Sequence, residues 1–159
     1  MERREFIALF GMAASMMPSL PSSARAEPDY APGTIAGKLV GAWGFDSSVN
    51  TRKDGSTFDR WGPDPKGILM FDRGGQYAQI IIGAESRVFG AKVFCSFGSY
   101  SVDDAKNRLI TRVAGCSVAK LNGTAQSRSI LVLTADQLKY SNSIASSGSI
   151  AEVLWRRVT

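Results

Sequence analysis

The chain has 159 residues, of which 44% are hydrophobic and 21% charged, and this composition is typical of one globular domain with enough apolar surface for a core. The formal net charge is +5, but the charges are scattered and form no basic stripe, which argues against a nucleic-acid partner. The chain contains no histidine, so Ser-His-Asp triads, Cys-His pairs and His-ligated metal sites are excluded.

Residues 1–26 (MERREFIALFGMAASMMPSLPSSARA) have the parts of an export signal. Arg3 and Arg4 form a basic start, residues 6–17 an apolar stretch, and Ala24-Arg25-Ala26 a small-x-small cleavage site. The Arg-Arg-Glu-Phe-Ile run resembles the bacterial twin-arginine signal, with general secretion as the alternative. The apolar stretch is shorter than the roughly 20 residues that a membrane span needs. We therefore expect cleavage after residue 26, no membrane span in the mature protein, and a periplasmic or secreted location.

Residues 27–37 predict an irregular or briefly helical lead-in, because Pro28, Pro32 and Gly33 discourage a long regular element. Residues 38–159 then predict eight short strands: KLVGAWGFDS, GILMFD, QYAQIII, SFGSYSVD, RLITRVAG, RSILVLT, QLKYSNS and IAEVLWRRV. Most are joined by short turns such as DRGG, DDAKN and TAD, a pattern that favours an antiparallel meander. Eight such strands can close into an up-and-down barrel, which removes open edges. An immunoglobulin-like sandwich is the alternative all-β fold.

Within the strand GILMF and its neighbour, alternation predicts two faces. It places Leu69 and Phe71 on one face, and Ile68 and Met70 together with Tyr77 on the other. It does not say which face is internal.

Several segments, in order, resemble the bacterial lipocalin-like domain family over residues 39–159. They are Gly41-x-Trp43 on the first strand, RKDGS, WGPDPKGILMFDRGGQYAQI, SFGSYSVDDAKNRLI and the closing LWRRV. The segment GPDPKGILMFDRGGQY is the most specific of these. The resemblance implies a calycin-type β-barrel that holds a small apolar molecule, and it implies no cofactor.

The resemblance also implies structural roles at the base of the barrel. In lipocalins an arginine of the last strand packs over the first-strand tryptophan, and here Arg156 or Arg157 would pack over Trp43. Alternation places Gly41 on the same face as this ring, so a residue without a side chain lies beside a large one.

We expect aromatic rings with an occasional hydroxyl to line the cavity, since such a wall suits a largely apolar ligand that must also be oriented. The predicted wall residues are Trp43, Phe45, Tyr77 and Tyr100. The small residues Gly41, Ala78 and Gly98 favour a cavity over a completely filled interior.

The two cysteines are predicted to face each other across a hairpin. If Val102 lies opposite Leu109, the same antiparallel register places Cys95 opposite Cys116. Export to an oxidising compartment would favour a disulfide between them. A bulge that shifts the register would instead leave two unpaired thiols.

Three classes of function remain open after these exclusions. The leading one is a carrier for a small apolar or amphipathic molecule. The second is a periplasmic interaction or inhibitor barrel with a protein partner, for which residues 27–37 would supply an arm. The third is a histidine-free cyclase or isomerase that uses the shape of the barrel. No catalytic residue, metal site or cofactor is assigned.

Overall fold

The structure is a computed structural model, and it describes residues 30–84, 92–144 and 148–159. The predicted export signal and its cleavage site therefore lie outside the described residues. The described part is almost entirely β-structure.

One short helix, α1 (Ile35–Leu39), precedes the strands. The strands are β1 (Gly41–Thr51), β2 (Thr57–Phe58), β3 (Lys66–Phe71), β4 (Gln76–Ile82), β5 (Val93–Asp103), β6 (Arg108–Cys116), β7 (Ala125–Leu133), β8 (Gln137–Ile144) and β9 (Ser149–Arg157). Single 3-10 turns, Asp104–Lys106 and Ala119–Leu121, precede and follow β6.

The strands form a closed antiparallel barrel. From β3 to β9 each strand pairs with the next in sequence, and β1 pairs with both β3 and β9. Among the described strands, the two-residue β2 pairs only with the end of β1. The predicted eight-stranded up-and-down barrel is therefore confirmed, and the sandwich alternative is wrong because β1 and β9 join the two edges of one sheet.

The described part of the lead-in contains one short helix, α1. Helix α1 covers the boundary predicted between residues 37 and 38, so β1 begins at Gly41 rather than at Lys38. Thr34 caps the helix, since its hydroxyl accepts a hydrogen bond from Gly37 N at 3.0 Å. Leu39 is buried against the barrel. A single turn of helix thus covers one end of the barrel.

The pairing of β3 with β4 decides which face of GILMF is internal. Phe71 lies opposite Tyr77, and directly opposed residues share a face. Leu69, Phe71 and Tyr77 are buried, whereas Met70 points outward with 42% of its surface exposed. The expected grouping of Tyr77 with Ile68 and Met70 was wrong, because the turn register places Tyr77 opposite an odd-numbered residue.

The predicted register of the β5–β6 hairpin holds only from Asp103 to Gly98. Beyond Gly98 a bulge shifts the pairing by one residue, so Cys116 lies opposite Ser96 and not opposite Cys95. A one-residue shift moves side chains to the other face of a sheet. The structure accordingly has two free cysteines, and the predicted Cys95–Cys116 disulfide is absent from it.

Candidate ligand-binding cavity

The base of the barrel is built around Trp43 and Arg157. The Trp43 ring is fully buried, and its Nε1 donates a hydrogen bond to Leu39 O at 2.8 Å. The Arg157 guanidinium carbon lies 4.0 Å from the centre of the Trp43 ring. The guanidinium donates to Val40 O at 3.0 Å and to Lys38 O at 2.6 Å. One cation thus ties the last strand to the first strand and to the end of α1.

The two adjacent arginines of β9 have different roles. Arg157 also donates from Nε to Ala135 O. Arg156 points outward and lies 3.3 Å from the Asp46 carboxylate. At Gly41 a β-carbon would come within 2.8 Å of Arg157 Nη1. The structure therefore places Arg157 over the ring, and Gly41 leaves the space that its guanidinium occupies.

The four aromatic residues predicted for the cavity wall lie in the core near this base. Phe45 makes edge-to-face contacts with Trp155 at 5.3 Å and with Trp61 at 6.4 Å between ring centres. With Trp43, it belongs to the packing of the closed end. Neither residue lines the cavity described below.

Tyr77 and Tyr100 are also packed rather than exposed to the cavity. The Tyr100 ring lies 4.8 Å from Phe71, its hydroxyl donates to Asp72 O at 2.9 Å, and burial raises the pKa of its phenol. The Tyr77 hydroxyl is 2.9 Å from Ser96 Oγ, which does line the cavity. Aromatic side chains thus fill the closed half of the barrel, and the open space lies elsewhere.

A cavity of about 500 Å³ occupies the other half of the barrel, where β1, β4, β6 and β8 end. This volume is within the range of small-molecule pockets. Its apolar lining includes Trp61, Ile81, Phe94, Val113, Tyr140 and Val153. Its uncharged polar lining includes Ser48, Asn50, Gln79, Ser96, Gln126 and Asn142. The wall therefore offers both apolar surface and hydrogen-bonding groups.

Asn50 is the most deeply buried polar residue of this wall, with 1% of its surface exposed. Within the described part of the chain, neither its Oδ1 nor its Nδ2 has a hydrogen-bond partner. A buried amide left unpaired costs about 1–3 kcal/mol of stability. The barrel thus carries an unsatisfied polar group at the cavity, and sequence reasoning did not single it out.

Arg128 on β7 lies opposite Leu109 on the inner face and is 9% exposed. Its Nη1 donates to Thr111 Oγ1 at 2.5 Å, and its guanidinium carbon lies 5.5 Å from the centre of the Tyr140 ring. Burial raises the pKa of the Tyr140 phenol, and the nearby Arg128 charge opposes this rise. A buried cation is therefore part of the cavity wall.

Residues 84–158 match the lipocalin-like domain family. Over these residues the chain is similar to a lipocalin-like domain. The predicted resemblance is thus confirmed over this range, although the segment at residues 62–77, which carries the most specific part of the resemblance, precedes the match. None of the curated protein sequences compared with this lipocalin-like chain matches it significantly.

Solved structures similar to the lipocalin-like barrel share little sequence with it. A lipocalin-like protein from Bacteroides uniformis has a TM-score of 0.48 at 14% identity, covering 76% of this chain and 99% of its own. A designed fluorescence-activating β-barrel has a TM-score of 0.45 at 16% identity, covering 77% and 96%. Bovine odorant-binding protein in complex with a selenium-containing odorant has a TM-score of 0.46 at 14% identity, covering 80% and 75%.

Within the described ranges, the lipocalin-like chain has no group of three or more Cys, Asp or Glu residues placed to hold a metal ion. The same ranges contain no helix with the length and apolar character needed to cross a membrane.

Proposed function

We propose that this lipocalin-like barrel binds and carries a small amphipathic molecule in its cavity, in the periplasm or outside the cell. The observation that carries the proposal is the cavity of about 500 Å³ with a mixed apolar and polar wall. The export signal predicted for residues 1–26 supports the location.

Eight-stranded barrels are near the size at which side chains either fill the interior or leave room for one ligand. In this barrel large rings such as Trp43 and Trp155 fill the base. The wall of the other half contains small side chains, among them Ser96, Ala125 and Ala151. The interior is therefore divided into a packed half and an open half, which supports a carrier rather than a fully packed barrel.

The packing of the N-terminal segment favours a carrier over an inhibitor. An inhibitor arm from residues 27–37 would have to be free to enter a partner. In the described part of that segment, Ala36 is buried, and Tyr30 and Ile35 pack against the barrel core. These contacts support a covering role for the segment at the closed end.

Ala151 provides a direct test, because it is buried, lines the cavity and lies opposite Asn50. We expect ligand-stripped protein to bind the neutral fluorophore N-phenyl-1-naphthylamine saturably, with one molecule per chain. Ala151→Phe should weaken this binding about tenfold or more by occupying the cavity, with near-UV circular dichroism reporting a native fold. Fluorescence titration measures the affinity and the stoichiometry of both proteins.

The matched control is Ala114→Phe, which adds the same ring at an exposed position of β6. Its affinity for the fluorophore should remain within about twofold of the unmodified protein. If folded, ligand-stripped protein shows no saturable binding, or if both variants bind equally well, the cavity is not a binding site and the proposal is wrong.

A further inference from the structure

The charged residues of the cavity wall are all cationic. Arg60, Lys120 and Arg128 line the cavity, and its lining residues, within the ranges that the structure describes, include no Asp or Glu. Burial lowers the pKa of Arg60, so its surroundings already disfavour an uncompensated positive charge. A cavity with this charge pattern attracts an anion and repels a cation.

Arg128 is built into the barrel rather than placed on its surface. It is buried, it donates one hydrogen bond to Thr111, and its guanidinium approaches the Tyr140 ring. No ion pair joins it to a carboxylate of the described residues. Buried guanidinium groups normally have an anionic partner, because desolvating an unpaired charge is unfavourable. The remaining N–H donors of the planar Arg128 guanidinium can bind a carboxylate.

Asn50 supplies an independent observation at the same level of the barrel. Asn50 lies opposite Ala151, and Ala151 lies opposite Asn142. Arg128 continues this row on β7, next to the Ser129–Ser141 pair. On one ring of the inner wall, this row therefore holds a buried amide and a buried cation. Among the described residues, the amide has no hydrogen-bond partner and the cation has no carboxylate partner, and Ala151 and Asn142 lie between the two.

We propose that the ligand is an amphipathic anion whose carboxylate pairs with Arg128, with the polar row around Asn50 completing the headgroup site. Its apolar body lies against Trp61, Ile81 and Val153. This inference rests on the proposed carrier function and specifies the chemistry of the molecule carried.

The experiment uses bound N-phenyl-1-naphthylamine as the reporter and three competitors with the same ten-carbon chain: decanoate, 1-decanol and decylammonium. Below their micelle-forming concentrations, decanoate should displace half of the reporter at about tenfold lower concentration than decylammonium, which corresponds to about 1.4 kcal/mol. 1-Decanol, which is uncharged, measures how much the ten-carbon alkyl chain alone contributes to binding.

Two variants with the same change in net charge identify the responsible residue. Arg128→Met should abolish the preference for decanoate over decylammonium, with each displacement expressed relative to the variant's own affinity for the reporter. Arg112→Met removes an exposed arginine of β6 and should keep the preference. A preference that persists in Arg128→Met would overturn the assignment of Arg128.

A measurement on the unmodified protein keeps the inference testable if Arg128→Met does not fold. In a ¹³C NMR titration, bound carboxyl-labelled decanoate should titrate at lower pH than free decanoate, because a paired cation favours the carboxylate. An equal or higher titration midpoint would overturn the inference, as would equal displacement by decanoate and decylammonium. In those cases reporter binding still supports a carrier, whereas loss of reporter binding overturns the carrier function and this inference together.

Discussion

At the scale of single residues, two adjacent arginines on β9 show how position sets the role of a side chain. Arg157 contacts Trp43 and donates to carbonyls of the segment before β1. Arg156 is exposed and pairs with Asp46. Exposed ion pairs contribute little to stability, whereas several charge-assisted hydrogen bonds and a stacked ring contribute more.

We therefore predict that Arg157→Lys lowers the free energy of unfolding by about 1–2 kcal/mol, because lysine has neither the planar fork nor its stacking surface. Arg156→Lys is the matched control and should change it by less than about 0.5 kcal/mol. Urea unfolding measures both. Equal losses in the two variants would show that the contact with Trp43 does not stabilise the base of the barrel.

At the scale of elements, the β5–β6 hairpin shows how one bulge changes the chemistry of two residues. A β-carbon at Gly98 would collide with the carbonyl oxygen of Arg112, so this glycine allows the close backbone approach beside the bulge. The bulge leaves Cys116 opposite Ser96, whose hydroxyl meets that of Tyr77 on the inner side. Cys95 lies opposite Ile80, on the outer face.

Because the two cysteines lie on opposite faces of the sheet, we predict that the purified protein contains two free thiols per chain. Thiol titration in denaturant without reductant measures this number. Treatment with dithiothreitol should leave both the number of thiols and the midpoint of urea unfolding unchanged. Fewer than two thiols before reduction would mean that the register beyond Gly98 differs from the one described.

At the scale of the whole molecule, the chain combines a closed barrel with an N-terminal sequence that predicts export. Replacing both Arg3 and Arg4 by lysine should prevent accumulation in the periplasm if the twin-arginine route is used, because that route reads the arginine pair. The control variant Arg25→Lys has the same type of substitution outside the Arg3-Arg4 pair, and this protein should be exported normally. Fractionation with immunoblotting measures export, and mass spectrometry should give Glu27 as the mature N-terminus.

Undiminished export of the double-lysine chain would favour general secretion over the twin-arginine route. Retention of the unmodified protein in the cytoplasm would contradict the predicted location.

Local sequence patterns were sufficient to predict the architecture of the barrel. Alternation within short apolar runs and the short turns between them predict an antiparallel meander, and eight strands predict closure. Gly41, Trp43 and the terminal Arg pair predict the contact at the base, because a family motif in the first and last strands marks the place where the barrel closes. These features depend on local sequence patterns, which can be recognised without knowing how strands distant in the sequence pair.

The inward faces of the strands, their registers and the position of the cavity could be established from the folded structure alone. Alternation separates Leu69 from Met70 but does not say which of the two is internal, and a single bulge beyond Gly98 moved Cys116 to another partner. The cavity wall depends on the combined register of all the strands, which brings Asn50 and Arg128 into one row from positions far apart in the chain. The four aromatic residues expected at the ligand pack in the closed end of the barrel, whereas other rings, those of Trp61, Phe94 and Tyr140, line the cavity.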